Sequence, residues 1–208
     1  MLDAPFRRAL ARVAAPFVGA LARTPLVTPA RLTGTAALLG VAAALLVASG
    51  RDGAALAAWL AGRLCDGLDG PLARHAGRSS RLGGFLDLVL DMVAYGAMVA
   101  GFAVRHPAEA PLWLAIALGY LLVASSTLAL ASLLAAEERS AVGDDRTLTL
   151  PPGLAEAGET TIVYTAMLLL PAAVAPIGWA WVALLGLTFG QRLLQAHRLL
   201  DTPPRPTR

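Results

Sequence analysis

The chain has 208 residues, of which 57% are hydrophobic and only 15% charged, and its mean hydropathy is +0.64. A soluble domain usually carries roughly 25% charged residues, so this composition excludes an ordinary water-soluble globule and points to one domain in a membrane. The net charge is +3, yet all 17 basic residues are arginines scattered between apolar segments; without a basic stripe, attraction to anionic lipid headgroups is the better reading and no nucleic-acid partner is expected.

Residues 3–22 place Phe6, Leu10, Val13 and Phe17 near one helical face and Arg8 and Arg12 elsewhere. This segment is too charged to span and is divided by Pro16, so it reads as an amphipathic interfacial helix on the cytoplasmic surface. Arg12 and Pro16 also interrupt the first apolar stretch, and no cleavable signal peptide is expected. Six spans of near-membrane length follow, at approximately 30–49, 54–75, 81–103, 112–135, 159–175 and 177–200. The expected fold is therefore all-α. It is a single membrane domain, a polytopic bundle of six transmembrane helices over 30–200, with the interfacial helix before it and a cytoplasmic tail at 201–208. The one long loop is 136–158, and the last two spans meet near Pro171 and Pro176.

Arginine placement orients the bundle. With the N-terminus in the cytoplasm, every arginine except Arg51, Arg63 and Arg105 falls on the cytoplasmic side. Arg51 and Arg105 fall outside, and Arg63 lies within the second span. Trp59, Trp113, Trp179 and Trp181 all sit near the outer ends of their spans, where indole rings favour the interface. Cys65 is the only cysteine, so no disulfide forms within the chain, and it reads as a small packing residue. His75, His106 and His197 have no metal partners at useful spacing and read as interfacial. Tyr95, Tyr120 and Tyr164 read as packing residues.

The second and third spans carry the chemistry. Asp66 and Asp69 are three residues apart, and Asp87 and Asp91 four apart, so each pair shares a helical face. A carboxylate in an apolar span costs roughly 2.5–3.5 kcal/mol, and four of them need a reason. The two spans join at a turn near Gly77 to Ser80. The pairs lie about 8 to 14 residues from it, at similar depth for a rise of 1.5 Å per residue. Four carboxylates can thus converge on one cavity open to the cytoplasm. Their repulsion must be relieved by protons or cations, and no lysine is near. All-oxygen ligands favour Mg²⁺, Mn²⁺ or Ca²⁺ over zinc. Two divalent ions would balance the charge, hold phosphate oxygens and activate a hydroxyl. Gly70 leaves room beside Asp69, Ala73 is small, and Arg74 is placed to clamp a phosphate. Gly83 and Gly84 are expected to let the third helix approach its neighbours closely.

The pattern resembles the signature of the CDP-alcohol phosphotransferase family, D-x2-D-G-x2-A-R followed after eight or nine residues by G-x3-D-x3-D. Asp66, Asp69, Gly70, Ala73, Arg74, Gly83, Asp87 and Asp91 match it, with eight residues between Arg74 and Gly83. The resemblance implies that Asp66, Asp69 and Asp87 bind a pair of divalent ions, Mg²⁺ or Mn²⁺. Asp91 would be a further ligand and the general base that takes the acceptor's proton. It implies that Gly70, Ala73 and Arg74 border the CDP moiety. The acceptor hydroxyl would attack the phosphorus bearing the alcohol, and CMP would leave. The expected partners are a CDP-linked lipid donor, a small polar alcohol, membrane lipid and a second copy in a homodimer. The expected location is a bacterial cytoplasmic (inner) membrane with the active site facing the cytoplasm.

Thr28-Pro29 and Thr33 resemble a Thr-Pro motif of many members. The stretch from Gly153 to Thr160 resembles one in some bacterial members, and its Glu156 and Glu159 would meet acceptor hydroxyls or sit at a helix N-terminus, which favours acids. Arg78, Arg81, Arg139 and Arg146 would meet an acceptor phosphate or face solvent and lipid. Glycerophosphate-transferring members carry Asp-Pro-x-x-Asp-Lys at the second acidic pair. This chain has Asp87-Leu88-Val89-Leu90-Asp91-Met92, which weighs against that acceptor and leaves inositol or its phosphate open. Phosphatidyl transfer from CDP-diacylglycerol is the leading reading. The alternatives are a CDP-amino-alcohol donor with a diacylglycerol acceptor and, in another class, a cation transporter using the intramembrane acids.

Overall fold

The computed structural model of the chain describes residues 18, 24, 27–77, 79–141 and 157–200, and of 135–141 the helical backbone alone. Among these, six α-helices and two short 3-10 turns form the fold, with no strand. The helices are α1 (Pro29–Ala48), α2 (Asp52–His75), α3 (Arg81–Arg105), α4 (Ala110–Ala141), α5 (Ala157–Leu169) and α6 (Val174–Leu200).

Local chemistry sets the helix ends. Thr28 caps α1 by accepting from the Arg31 N–H at 3.3 Å, and Pro29 occupies the first turn, where its missing N–H is not needed. Gly50, at φ 74°, takes the left-handed conformation that ends α1 and lets α2 begin two residues later. Gly77, at φ 62°, does the same between α2 and α3. Ser80 then caps α3 by accepting from the Gly83 N–H at 3.0 Å. Pro71 lies inside α2 and has no N–H to offer the Gly67 carbonyl one turn back.

α1 is the spine of the site-bearing half. It lies along both α2 and α3, which make little direct contact with each other. The approach is close because the facing residues are small. A Cβ on Gly40 would stand 2.6 Å from the Ala94 Cβ, one on Gly101 would enter the Ala44 backbone, and one on Gly62 would stand 3.1 Å from the Ala36 carbonyl oxygen. Such contacts drive helix association in lipid, where burial of apolar surface gives little. Gly83 and Gly84 do not take this role. Both are exposed, Gly84 faces open space, and Gly83 meets only its own cap, Ser80. They lie in the first turn of α3, before it meets α1. α4 pairs with α6, and α5 closes the bundle against α2 and α6.

Four segments are long and apolar enough to cross a membrane: Pro29–Ala48, Arg81–Arg105, Pro107–Leu134 and Pro171–Leu200. Leucines on their outer faces, such as Leu38, Leu45 and Leu114, are exposed as lipid contact requires. The protein is an integral membrane protein. α2 has the length to span but carries Arg63, Asp66, Asp69 and Arg74, which lower its hydropathy. α5 has 13 residues and covers only about 20 Å at 1.5 Å per residue.

The expected six helices are present, with two boundary corrections. α4 runs on to Ala141, into the stretch read as loop, because Ala-Ala-Glu-Glu-Arg-Ser-Ala is made largely of good helix formers. The fifth helix ends at Leu169 rather than near 175, because Pro171 opens a 3-10 turn that leads into α6. Pro176 falls in the first turn of α6, where proline is tolerated. The interfacial helix expected at 3–22 lies outside the described residues except for Val18, which is helical and packs on Leu72.

The tryptophans also differ from expectation. Trp59, Trp113 and Trp181 are buried core residues, and only Trp179 is exposed. Protein groups replace the interfacial partners of their indole N–H: the Thr161 carbonyl for Trp59, the His106 carbonyl for Trp113 and the Tyr120 hydroxyl for Trp181.

Candidate active site

The helix hairpin of α2 and α3 brings the acids together at the end near the Gly77 turn. One carboxylate oxygen from each of Asp66, Asp69 and Asp87 lies within 4.8 Å of the others. Asp69 is buried, Asp66 half-buried and Asp87 exposed, so the cluster forms a graded well with its floor at α2. The donors suit a hard divalent ion. An ion with oxygens at about 2.1 Å holds its donors at most about 4.2 Å apart; small rotations of the side chains close the remaining difference. The cluster can hold a metal.

α1 supplies the support. The Thr33 hydroxyl donates to Asp69 Oδ2 at 2.6 Å, and Thr33 also lies within bonding distance of the Pro29 carbonyl at 3.0 Å. The Thr28-Pro29-to-Thr33 stretch thus caps α1 at one end and fixes a carboxylate of α2 at the other. A hydrogen bond this short restricts the rotamers open to the Asp69 carboxylate.

Asp91 is held differently. Its Oδ1 accepts from Arg63 Nη1 at 2.6 Å, and its Oδ2 accepts from the Tyr95 hydroxyl at 3.3 Å. The same Arg63 nitrogen stands 3.6 Å from Asp66 Oδ2. The guanidinium carbon lies 5.0 Å from the Trp59 ring centre and 5.4 Å from that of Tyr95. Arg63 and Tyr95 are not among the candidates from the sequence, where Arg63 is placed only within the second span and Tyr95 reads as packing. The signals were present: Arg63 precedes Asp66 by three residues and Tyr95 follows Asp91 by four, so each shares a face with an acid.

The other candidates fall around this centre. Gly70 and Ala73 are half-buried, and Arg74 is exposed. The Arg74 guanidinium folds back over Gly70, where an added Cβ would stand 3.4 Å from Nη1. A phosphate lying against Gly70 would therefore meet this arginine. Arg81 is the exposed first residue of α3, and Glu159 lies in the first turn of α5. Arg78, Arg146 and Glu156 lie outside the described residues, and Arg139 is described only as backbone of α4.

Comparison with known proteins adds a separate line. A sequence model described as CDP-alcohol phosphatidyltransferase matches residues 26–190. The chain is 34% identical over 187 residues to the inner membrane protein YnjF of Escherichia coli, covering 87% of this chain and 88% of that one. It is 30% identical over 141 residues to an archaetidylinositol phosphate synthase of Pyrococcus horikoshii, covering 67% and 68%. Its fold is similar to the crystal structure of Mycobacterium tuberculosis phosphatidylinositol phosphate synthase with CDP-DAG bound, at TM-score 0.71 and 24% identity over 95% of this chain and 98% of that one. The same synthase in complex with manganese and citrate gives a TM-score of 0.67 at 24% identity, over 98% and 91%. With three of the four signature aspartates in one cluster and a family match over residues 26–190 that reaches into all six helices, the chain belongs to the CDP-alcohol phosphatidyltransferase family.

Proposed function

We propose that the chain transfers a phosphatidyl group from CDP-diacylglycerol to a small polar alcohol, of which an inositol phosphate is the first to test. The observation that carries this reading is the meeting of Asp66, Asp69 and Asp87 within 4.8 Å at the open end of the α2–α3 hairpin, with Asp91 one turn further along α3. The donor assignment draws on the solved relative with CDP-DAG bound, and the acceptor on relatives named for phosphoinositol products. The absence of a Pro and a Lys around Asp87 and Asp91 supports it by weighing against glycerophosphate.

Divalent ions, Mg²⁺ or Mn²⁺ and two of them by charge balance, would supply positive charge to the phosphoryl oxygens and the leaving group. Asp66, Asp69 and Asp87 would hold them, with Asp91 as a further ligand, and a solved relative in complex with manganese agrees with that chemistry. Arg74 over Gly70 binds the diphosphate of the donor. Gly70 and Ala73 leave the nucleotide room against α2. The acceptor hydroxyl approaches from the α3 side, and Asp91 takes its proton as the new P–O bond forms. The diphosphate P–O bond breaks on the opposite side, and CMP leaves. Arg81 and Glu159, with Arg78, Arg139, Arg146 and Glu156, are the polar residues offered to the acceptor. We place the enzyme in a bacterial inner membrane with this mouth toward the cytoplasm. It acts as one membrane domain and as a homodimer.

The test is CMP release in detergent from CDP-diacylglycerol, with Mg²⁺ or Mn²⁺ and a panel of polar alcohols including inositol phosphates. Metal-dependent CMP release with a lipid product supports the reading. Release only from a CDP-amino-alcohol with diacylglycerol would reverse donor and acceptor, and no release from either would remove it.

A further inference from the structure

We propose that Tyr95 is a positioning residue for the reaction: its hydroxyl, anchored by side chains from three other helices, fixes the Asp91 carboxylate for its work at the metal and on the acceptor's proton. The role given to Asp91 rests on the transferase reading, but the contact between the two side chains does not.

Tyr95 follows Asp91 by four residues on α3, so the two share one helical face. Its hydroxyl lies 3.3 Å from Asp91 Oδ2. Arg63 Nη1 donates to the same hydroxyl at 3.3 Å and to Asp91 Oδ1 at 2.6 Å. With the arginine donating to the hydroxyl oxygen, the phenolic proton is directed to Asp91. The three side chains form a closed triangle in which Asp91 accepts on both sides. Packing holds the tyrosine ring in place, at 4% exposure. It stacks on Tyr120 of α4 at 5.9 Å, with the planes 23° apart, and stands 6.2 Å from the Trp59 ring of α2. The Tyr164 hydroxyl of α5 donates to the Tyr95 carbonyl at 3.3 Å. Tyr120 is tied in turn to α6, where the Trp181 indole N–H donates to its hydroxyl at 3.1 Å. Asp91 is therefore fixed, through Tyr95, to the packed half of the bundle.

A phenylalanine would fill the same space with no hydroxyl to desolvate, so packing alone does not account for a tyrosine here. The hydroxyl also leaves Asp91 able to work. A carboxylate has about four lone-pair sites. Arg63 and Tyr95 take one on each oxygen, and each oxygen keeps another for a cation or for the acceptor's hydroxyl. What the two donors remove is rotation of the carboxylate, as outer partners of metal ligands do. At 3.3 Å both contacts of the hydroxyl are long for hydrogen bonds. That sets the expected effect of losing it at the low end for such partners, about tenfold.

The experiment is a cycle of wild type, Tyr95→Phe, Asp91→Asn and Tyr95→Phe/Asp91→Asn, purified in detergent, with Tyr120→Phe as a control. Mn²⁺ affinity is read by titration, and kcat and donor KM from CMP release. Asp91→Asn keeps the other three acids, so its Mn²⁺ binding stays measurable. Tyr95→Phe weakens Mn²⁺ binding about tenfold. At saturating Mn²⁺ it lowers kcat about tenfold with donor KM within about twofold, the mark of a loss felt in the transition state. In the Asp91→Asn background the same substitution changes Mn²⁺ affinity and kcat by less than about twofold, because the two side chains act as one unit. Tyr120→Phe keeps the stacked ring and the Tyr95 hydroxyl, and its Mn²⁺ affinity stays within about twofold of wild type even where the lost bond to Trp181 lowers the melting temperature. Wild-type Mn²⁺ affinity or wild-type kcat in Tyr95→Phe overturns the proposal. So does an equal loss in the Asp91→Asn background or in Tyr120→Phe, either of which marks a general loosening of the bundle. A Tyr95→Phe chain that does not fold makes the hydroxyl structural and also overturns it. A wild type that binds Mn²⁺ but releases no CMP sinks the transferase reading instead, and the Mn²⁺ titrations of the cycle then decide the role of Tyr95.

Discussion

The two ends of α3 are built on opposite rules. From Ala94 to Phe102 it is packed: Ala94, Tyr95, Met98, Val99, Gly101 and Phe102 are all buried. Gly101 presses on the Ala44 backbone of α1, and the Phe102 ring stacks on Trp113 at 5.4 Å. From Arg81 to Val93 no residue is buried, and the acids stand there. α2 repeats the contrast in part: Ala55, Trp59 and Gly62 are buried at one end, while the other carries Asp66, Asp69 and Arg74, of which Asp69 is buried beside Leu72. The closed end gives the stability that the open end spends in desolvation and charge repulsion. Arg63 lies where the two regimes meet, bonded to Asp91 and close to the Trp59 ring of the core.

That contrast makes graded predictions. The largest effects belong to the open end. Asp66→Ala or Asp87→Ala should lower CMP release about 10³-fold or more, as removal of transition-state charge stabilisation does. Mn²⁺ should raise the melting temperature of wild type by binding the folded state, and each variant should abolish that rise. Wild-type turnover in either variant would break the assignment. The closed end should respond in stability first. Gly101→Ala places a Cβ in the Ala44 backbone, and overpacking of this kind costs about 1–3 kcal/mol, read as a lower melting temperature in detergent. Thr33→Ala removes the hydroxyl that fixes Asp69. At about 1 kcal/mol for such a bond, the melting temperature should fall by about 2–4 °C, and turnover roughly fivefold if the same energy is lost in positioning Asp69. The smallest effect is expected for Gly84→Ala, which meets nothing within 4 Å. Its stability should be unchanged or raised by up to about 1 kcal/mol from helix propensity. A large loss there would mean that the open end is packed against something after all.

The sequence was most legible where chemistry forced unusual residues into apolar helices. Asp66, Asp69 and Asp87 could be brought to one place from spacing alone, since helical periodicity and the Gly77 turn determine faces and depth. The membrane class and six helices followed from hydropathy. What spacing could not give was the choice between equivalent partners. Arg63 shares a face with Asp66, yet its shorter contact is to Asp91, across the gap between α2 and α3; that depends on how α1 sets the two helices. The glycines show the same limit. Gly83 and Gly84 read as a contact from their small size, but the contacts are made by Gly40, Gly62 and Gly101, because small residues permit approach and only the neighbouring helix decides where it happens. Tryptophan preference for the interface was overridden at Trp59, Trp113 and Trp181 by protein acceptors within reach.

Single-turnover CMP release from CDP-diacylglycerol, measured with Mn²⁺ and acceptor in wild type and Asp91→Asn, bears most directly on the account. The account predicts that Asp91→Asn binds the donor within a few fold of wild type while the rate falls by about 10²- to 10⁴-fold, the span of a positioned general base. An Asp91→Asn enzyme that turns over at the wild-type rate would contradict it.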